Sequence, residues 1–340
     1  MTTTEHQKPP RNRLAASALL TLLSLAFAAF GLEAAARFAL DDGMHFDLEM
    51  WKYARDIKFA SEDPRIGHEH TPNTSGIYMG VPVTINSAGN RDRDYPLLKP
   101  DGGLRIMMLG DSLTFGWGVK VEDTFSDQLE TLLNNGASAG KTEVINTGVG
   151  NYNTSMQVSA FLRNGYKFNP DVIVLNYFIN DAEPTPQRKK NSFTEYSYAA
   201  VMLAGAFDTV SRLYLGKSDW KKYYADLYRE DQPGWLQAKA AVAQLAAYCR
   251  EKGIKLMMVN LPELHELAPY PFTEVNAKLA QVADQFSIPF HDTLPALSPE
   301  QPQSLWVSPT DAHPNAKADA IIAAEIAAAI GRFFPELRAQ

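Results

Sequence analysis

Ser112, Asn180, Asp311 and His313 are the residues of this 340-residue sequence whose types and surroundings suit acyl chemistry. A serine hydroxyl is a poor nucleophile until a base removes its proton, and the base must itself be oriented by a third group. Ser112 follows Gly110-Asp111 where the apolar run from Arg105 stops, and Gly110 lets the backbone turn without a Cβ in the way. His313 lies in Ser308-Pro-Thr-Asp-Ala-His-Pro-Asn315, two residues after Asp311. A carboxylate that close can hold the Nδ1 proton while Nε2 faces a serine. The same stretch also reads as a plain turn before a helix, with Asn315 or Asp311 as its cap. Acyl transfer further requires hydrogen-bond donors for a developing oxyanion. Asn146-Thr-Gly-Val-Gly-Asn-Tyr-Asn153 offers backbone N–H groups, and Tyr177-Phe-Ile-Asn-Asp181 offers the Asn180 amide.

These residues need a scaffold that brings distant segments to one place. From Leu104 onward short apolar runs alternate with helical periodicity, which predicts a parallel sheet covered on both faces. Strands are expected at Arg105–Leu109, Glu143–Asn146, Val172–Tyr177, Ile254–Asn260 and Ile288–His291. Helices are expected near Asp123–Asn135, Thr154–Tyr166, Trp235–Lys252, Glu274–Gln285 and Asn315–Phe333. The expected fold is a three-layer α/β/α, doubly wound, five-stranded parallel sheet of flavodoxin-like type. In such sheets sites form at the carboxyl ends of the strands, where Ser112, the Gly148–Asn151 loop and Asn180 all fall.

With these blocks in this order, the chain resembles the SGNH (GDSL-type) hydrolase family over about Leu104 to Gly331. The resemblance implies that Ser112 is the nucleophile and that Asp311 and His313 complete a triad. The oxyanion hole would comprise the Ser112 N–H, the Asn180 amide and a backbone N–H of Asn151 or Gly150. The second block departs from the family's N-x-G-x-x-G pattern, placing Asn151 where a glycine is usual, so both candidates stand. Phe178-Ile-Asn-Asp replaces the common Gly-x-Asn-Asp and keeps Asn180. No metal or organic cofactor is implied.

Other motifs carry less. Gly136-Ala-Ser-Ala-Gly140 matches a nucleophile elbow, and Gly136 to Thr142 resembles a phosphate loop, but both follow a helix and precede a strand, the reverse of the required context. His68-Glu69-His70 has no third ligand nearby, so no metal site is expected there. Cys249 is the single cysteine and lies in an apolar helical pattern, as a core residue would. The net charge of -7 and the lack of a basic run argue against nucleic acid as a partner.

Lys8, Arg11 and Arg13 precede the uncharged stretch Leu14 to Leu32, close to the roughly 20 residues that span a bilayer. The positive flank predicts residues 1–13 in the cytoplasm, 14–32 as a single-pass membrane anchor and the rest on the periplasmic or other extracytoplasmic side. A cleaved signal peptide ending at Ala26-Phe27-Ala28 is the competing reading. Residues 41–100 form a lead-in with a short hairpin within Ile77–Ile85, expected to pack on the hydrolase domain, residues 101–340. An aromatic insertion at 183–234 reads either as a lid or sugar-stacking wall or as a helical subdomain with its own small core. Arg188, Lys189 and Lys190 there suit an anionic substrate or simple solvation. The expected activity is hydrolysis of acyl esters, O-acetyl groups of a surface or secreted glycan being one substrate. An O-acyltransferase would use the same residues with a sugar in place of water. A silent subunit of a polysaccharide export assembly would not need all four.

Overall fold

A computed structural model describes residues 11–135, 142–186, 196–215 and 220–339. The chain opens with helix α1 (Arg11–Ala35), continued by a π-helical turn Ala36–Leu40, and then α2 (Phe46–Asp56). Antiparallel pairs follow: β1 (Lys58–Ala60) with β2 (His68–His70), and β3 (Ser75–Tyr78) with β4 (Val81–Thr84). The second pair turns at Met79-Gly80, both with positive φ, the requirement of a tight turn matched to strand twist.

The main domain runs β5 (Leu104–Leu109), α3 (Ser112–Phe115), α4 (Phe125–Leu133), β6 (Thr142–Asn146), α5 (Thr154–Arg163) and β7 (Val172–Tyr177). It continues with α6 (Tyr198–Leu215), α7 (Trp220–Leu227), α8 (Pro233–Lys252), β8 (Lys255–Asn260), α9 (Thr273–Gln285) and β9 (Phe290–Asp292). It ends with α10 (Leu294–Leu297), β10 (Trp306–Ser308), β11 (Asp311–Pro314) and α11 (Ala316–Phe333). The central sheet has the order β6-β5-β7-β8-β9, with every pair parallel. This is the three-layer doubly wound arrangement that the alternation predicts.

Strand periodicity explains how both faces are filled. Met107, Leu109, Ile173, Leu175 and Met258 enter one core with α5, α8 and α9. Their neighbours Ile106, Met108, Val174, Met257 and Val259 enter the other, beneath α4 and α11. Consecutive residues point to opposite faces, so strands covered on both sides must be apolar throughout. Side-chain caps start three of the covering helices: Thr124 accepts from Asp127 N, Asn153 from Met156 N, and Asn315 from Lys317 N and Ala318 N.

The lead-in builds a third core against the segment that follows Ser112. Tyr53, Ile57, Tyr78, Val83 and Ile85 pack with Phe115 and Trp117. Arg91 locks this layer in place from within. Buried, it donates to the carbonyls of Phe115 (3.1 Å), Gly116 and Val119 (2.6 Å). Removing the guanidinium strands these acceptors in the interior, so Arg91→Ala is expected to cost about 2–4 kcal/mol. Urea unfolding at constant m-value is the check.

Among the described residues one helical stretch, Ala15–Leu40, is long and apolar enough to cross a membrane. The two Gly136-based motifs fall mostly on residues 136–141, and Arg188, Lys189 and Lys190 on 187–195, outside the described residues.

Candidate active site

In the order β6-β5-β7 the chain leaves β5 in opposite directions, which opens a crevice at the carboxyl ends of these strands. Ser112 lies just past β5, Asn151 past β6, and Asn180 in a 3-10 turn (Ile179–Ala182) past β7. All three line one cleft of about 480 Å³ together with Asp311 and His313.

Ser112 is the first residue of α3, and Asp111 caps that turn by accepting from Leu113 N at 2.9 Å. The hydroxyl sits at the cleft floor with 6% of the residue exposed. Gly148 of the neighbouring loop packs directly on α3. A Cβ there would lie 2.2 Å from Phe115 N, so only glycine allows the approach. Asn180 is held by Asp181, whose buried carboxyl accepts from Phe178 N (3.1 Å) and Gln157 Nε2 (2.8 Å).

The segment carrying His313 is not the bare turn the sequence suggests. Asp311–Pro314 is strand β11, paired antiparallel with β10. The strand is decisive for geometry, because residues two apart share a face and Asp311 therefore lies beside the His313 ring. His313 Nδ1 is 2.6 Å from Asp311 Oδ1, and His313 Nε2 is 2.9 Å from Ser112 Oγ. With Nδ1–H donating to the carboxylate, Nε2 carries the lone pair that faces the serine proton.

Asp311 is saturated with donors. The His313 backbone N–H reaches Oδ1 at 3.0 Å, and Trp117 Nε1 reaches Oδ2 at 3.0 Å. Burial alone would raise its pKa, but the hydrogen bonds and charge of His313, with Trp117, hold the carboxyl below its ordinary value. It therefore stays ionised at neutral pH.

The Gly150-Asn151 turn is fixed by the lead-in. Gly150 N–H donates to Tyr53 Oη (3.1 Å), Tyr53 Oη lies 2.5 Å from His70 Nε2, and His70 Nδ1 lies 2.9 Å from Gly89 O. Gly150 thus directs its N–H away from the cleft, whereas Asn151 lines the cleft. Asn151 adopts φ 66°, a left-handed conformation that Asn tolerates better than most residues. Lys58 Nζ donates to Gly150 O (2.6 Å) and Asn151 Oδ1 (2.9 Å), and His68 Nε2 meets Gly150 O at 3.0 Å. No local pattern in the sequence singles out Tyr53, Lys58 or Trp117. His68 and His70 stand out there only as potential metal ligands; in the structure His68 instead meets Gly150 O directly and His70 supports the turn through Tyr53 Oη.

Burial lowers the pKa of His68 to about 4 and of His70 to about 3. Between those values and about 6.5 the unfolded chain binds more protons than the folded one, so stability rises with pH. Acid is expected to destabilise the fold progressively below about pH 6.5. His70→Gln should flatten the pH dependence of urea midpoints in that range.

Phe46, Asp47, Phe178, Gly205, Tyr224 and His265 also line the cleft. His265 pairs with Glu263 and stands between Trp220 (5.6 Å) and Trp306 (5.0 Å). The insertion is divided in its packing. Trp220 and Tyr224 pack on Phe272, and Tyr228 is buried with its hydroxyl on Ile179 O, but Tyr196 and Phe207 are exposed.

Residues 108–321, more than half of the chain, match the model of the GDSL-like lipase/acylhydrolase family. The chain belongs to this family. This GDSL-like acylhydrolase is an enzyme that hydrolyses ester bonds. Among solved structures it is similar to the acetyl xylan esterase AlAXEase, at 14% identity, covering 67% of this chain and 100% of the other with a TM-score of 0.42. It is also similar to a catalytic mutant of the acetylxylan esterase Axe2 from Geobacillus stearothermophilus, at 15% identity, with 69% and 97% of the chains covered and a TM-score of 0.46. A third is LAE5, an alpha/beta hydrolase from the metagenome of Lake Arreo, Spain, at 13% identity, with 69% and 97% covered and a TM-score of 0.46. No curated protein matches the chain.

Proposed function

We propose that this enzyme is a membrane-tethered serine esterase that removes O-acetyl groups from a glycan on the extracytoplasmic side. The observation that carries the mechanism is the Ser112–His313–Asp311 relay, with contacts of 2.9 and 2.6 Å. Ser112 Oγ attacks the ester carbonyl as its proton passes to His313 Nε2. The ionised Asp311 stabilises the imidazolium and keeps Nδ1 as the donor. The oxyanion is received by the N–H groups of Ser112 and Asn151 and by the Asn180 amide. His313 then protonates the departing alcohol, and water, deprotonated by the same nitrogen, releases the acid from Ser112. No step calls for a metal or organic cofactor.

The glycan assignment rests on the open cleft and the aromatic residues that line it, Phe46, Phe178 and Tyr224, since aromatic faces stack on sugar rings. The location rests on Lys8, Arg11 and Arg13 ahead of the apolar helix.

The full chain in detergent, given an O-acetylated oligosaccharide with and without an unacetylated acceptor, tests this reading. Steady acetate release without acceptor, abolished by Ser112→Ala, is expected. Turnover that requires the acceptor and yields acetylated acceptor would replace the deacetylase with an acyltransferase.

A further inference from the structure

Helix α6 leaves the outer end of α1 and leads to the rim of the catalytic cleft. Glu33, near the end of α1, accepts from Tyr198 N (3.1 Å), Ala199 N (3.1 Å) and Ser197 Oγ (2.7 Å). A carboxylate from the apolar helix thus satisfies N–H groups that the first turn of α6 leaves free. Arg37, one turn beyond, pairs with Glu33 at 2.6 Å and lies over the Tyr198 ring at 4.5 Å. Further along α6, Gly205 abuts Asp47 so closely that a Cβ would meet its Oδ2 at 2.3 Å. Gly205 and Asp47 line the cleft with Ser112. At the helical rise, Gly205 is only about 10 Å along the axis from Tyr198.

The two sides of α6 differ. Val201 is buried and Gly205, one turn on, packs on Asp47, whereas the opposite face has Leu203 58% and Phe207 71% exposed, with Ala204 and Ala206 also exposed. Tyr198 to Phe207 contains no charged residue. The π-helical turn that joins α1 to this region adds Phe38, 86% exposed, and Leu40. An apolar surface that continues from a membrane-crossing helix is not one that water accommodates well. Its height is fixed by Glu33 and Arg37, the first charged residues after the apolar span, which mark the level of the headgroups.

We propose that the outer face of α6, with Phe38 and Leu40, is seated in the lipid interface beside α1, so that the catalytic cleft opens at the membrane surface. The occupant of this face is the bilayer. The substrate ester is therefore presented within about 10–20 Å of the lipid surface, as on a glycan still held at the membrane. This rests on reading α1 as an uncleaved anchor.

The test uses the full chain with Cys249→Ala, reconstituted in phosphatidylcholine vesicles. An environment-sensitive fluorophore is attached at Leu203→Cys, Phe207→Cys, Leu25→Cys in α1, or Leu98→Cys before β5, at the opposite end of the sheet. Retained hydrolysis of a short soluble ester shows that each labelled protein is folded. Labels at 25, 203 and 207 are expected to emit to the blue and lose most of their intensity to a lipid-borne quencher, while the label at 98 responds to iodide. If 25 is in lipid but 203 and 207 respond to iodide as 98 does, the seating of α6 is wrong and the anchor stands. If 25 also responds to iodide, the anchor reading fails and takes the seating with it. Protection of 203 and 207 from both quenchers would replace lipid with a protein neighbour, such as a second copy.

Discussion

Ser112→Ala is expected to lower kcat/KM for a short acyl ester by about 10⁴–10⁶-fold, with the urea midpoint unchanged. Its oxygen is the atom that bonds to the acyl group in the proposed reaction, and it is the hydroxyl held against His313 Nε2. What survives is the contribution of the oxyanion donors and of binding, which act on water as well as on serine. Stability should not change, because the cap of α3 comes from Asp111 and not from Ser112. A loss below tenfold would show that another group attacks the ester.

Asp311→Asn is expected to cost about 10³–10⁴-fold in kcat with a small effect on KM. The carboxylate accepts three hydrogen bonds at once, from His313 Nδ1, His313 N and Trp117 Nε1. An amide of the same shape has one oxygen and one NH₂ group. If its oxygen serves the backbone N–H and the ring, the NH₂ confronts the Trp117 N–H; if it is flipped, the ring must accept at Nδ1 and carry its proton on Nε2. The flipped arrangement leaves no lone pair for the serine proton. The residual activity should exceed that of Ser112→Ala, since the backbone contact and β11 still hold the ring near the nucleophile. Adding Trp117→Phe, which removes the indole donor, should partly relieve the clash and recover part of the activity lost in Asp311→Asn. Steady-state kinetics on the single and double variants measures the coupling.

Much of the fold was legible because strands of a parallel sheet buried on both faces must be apolar at every position, and such runs stand out between amphipathic helices. Edges were less legible. The apolar pattern starts the last strand at Ile288, but Ile288 N donates to Ala283 O at 2.8 Å, after Ser287 turns with φ 57°. Ile288 therefore closes the end of α9, and β9 starts at Phe290. Asp311–Pro314 reads as a turn because proline and a helix cap dominate its composition; its pairing with Trp306–Ser308 depends on contacts that composition does not reveal.

The candidate site was legible where chemistry is written in short spacings. Asp311 and His313 are two residues apart, and Ser112 and Asn180 each follow a strand. What supports them was not legible, because it comes from far away in the chain. Trp117 reaches Asp311 across 194 positions, and Tyr53 reaches Gly150 across 97. No local pattern in the sequence reveals that the Gly150 N–H is taken by Tyr53 while Asn151 lines the cleft.

The account's central claim is that one serine carries the acyl group. The most direct measurement is to inactivate the wild-type enzyme with an alkyl fluorophosphonate, follow activity against incorporation, and map the modified peptide by mass spectrometry. The account predicts that activity falls in proportion to a single phosphonyl group on Ser112, and that His313→Ala slows the labelling. Inactivation with the group on another residue, or full activity with Ser112 already modified, would contradict it.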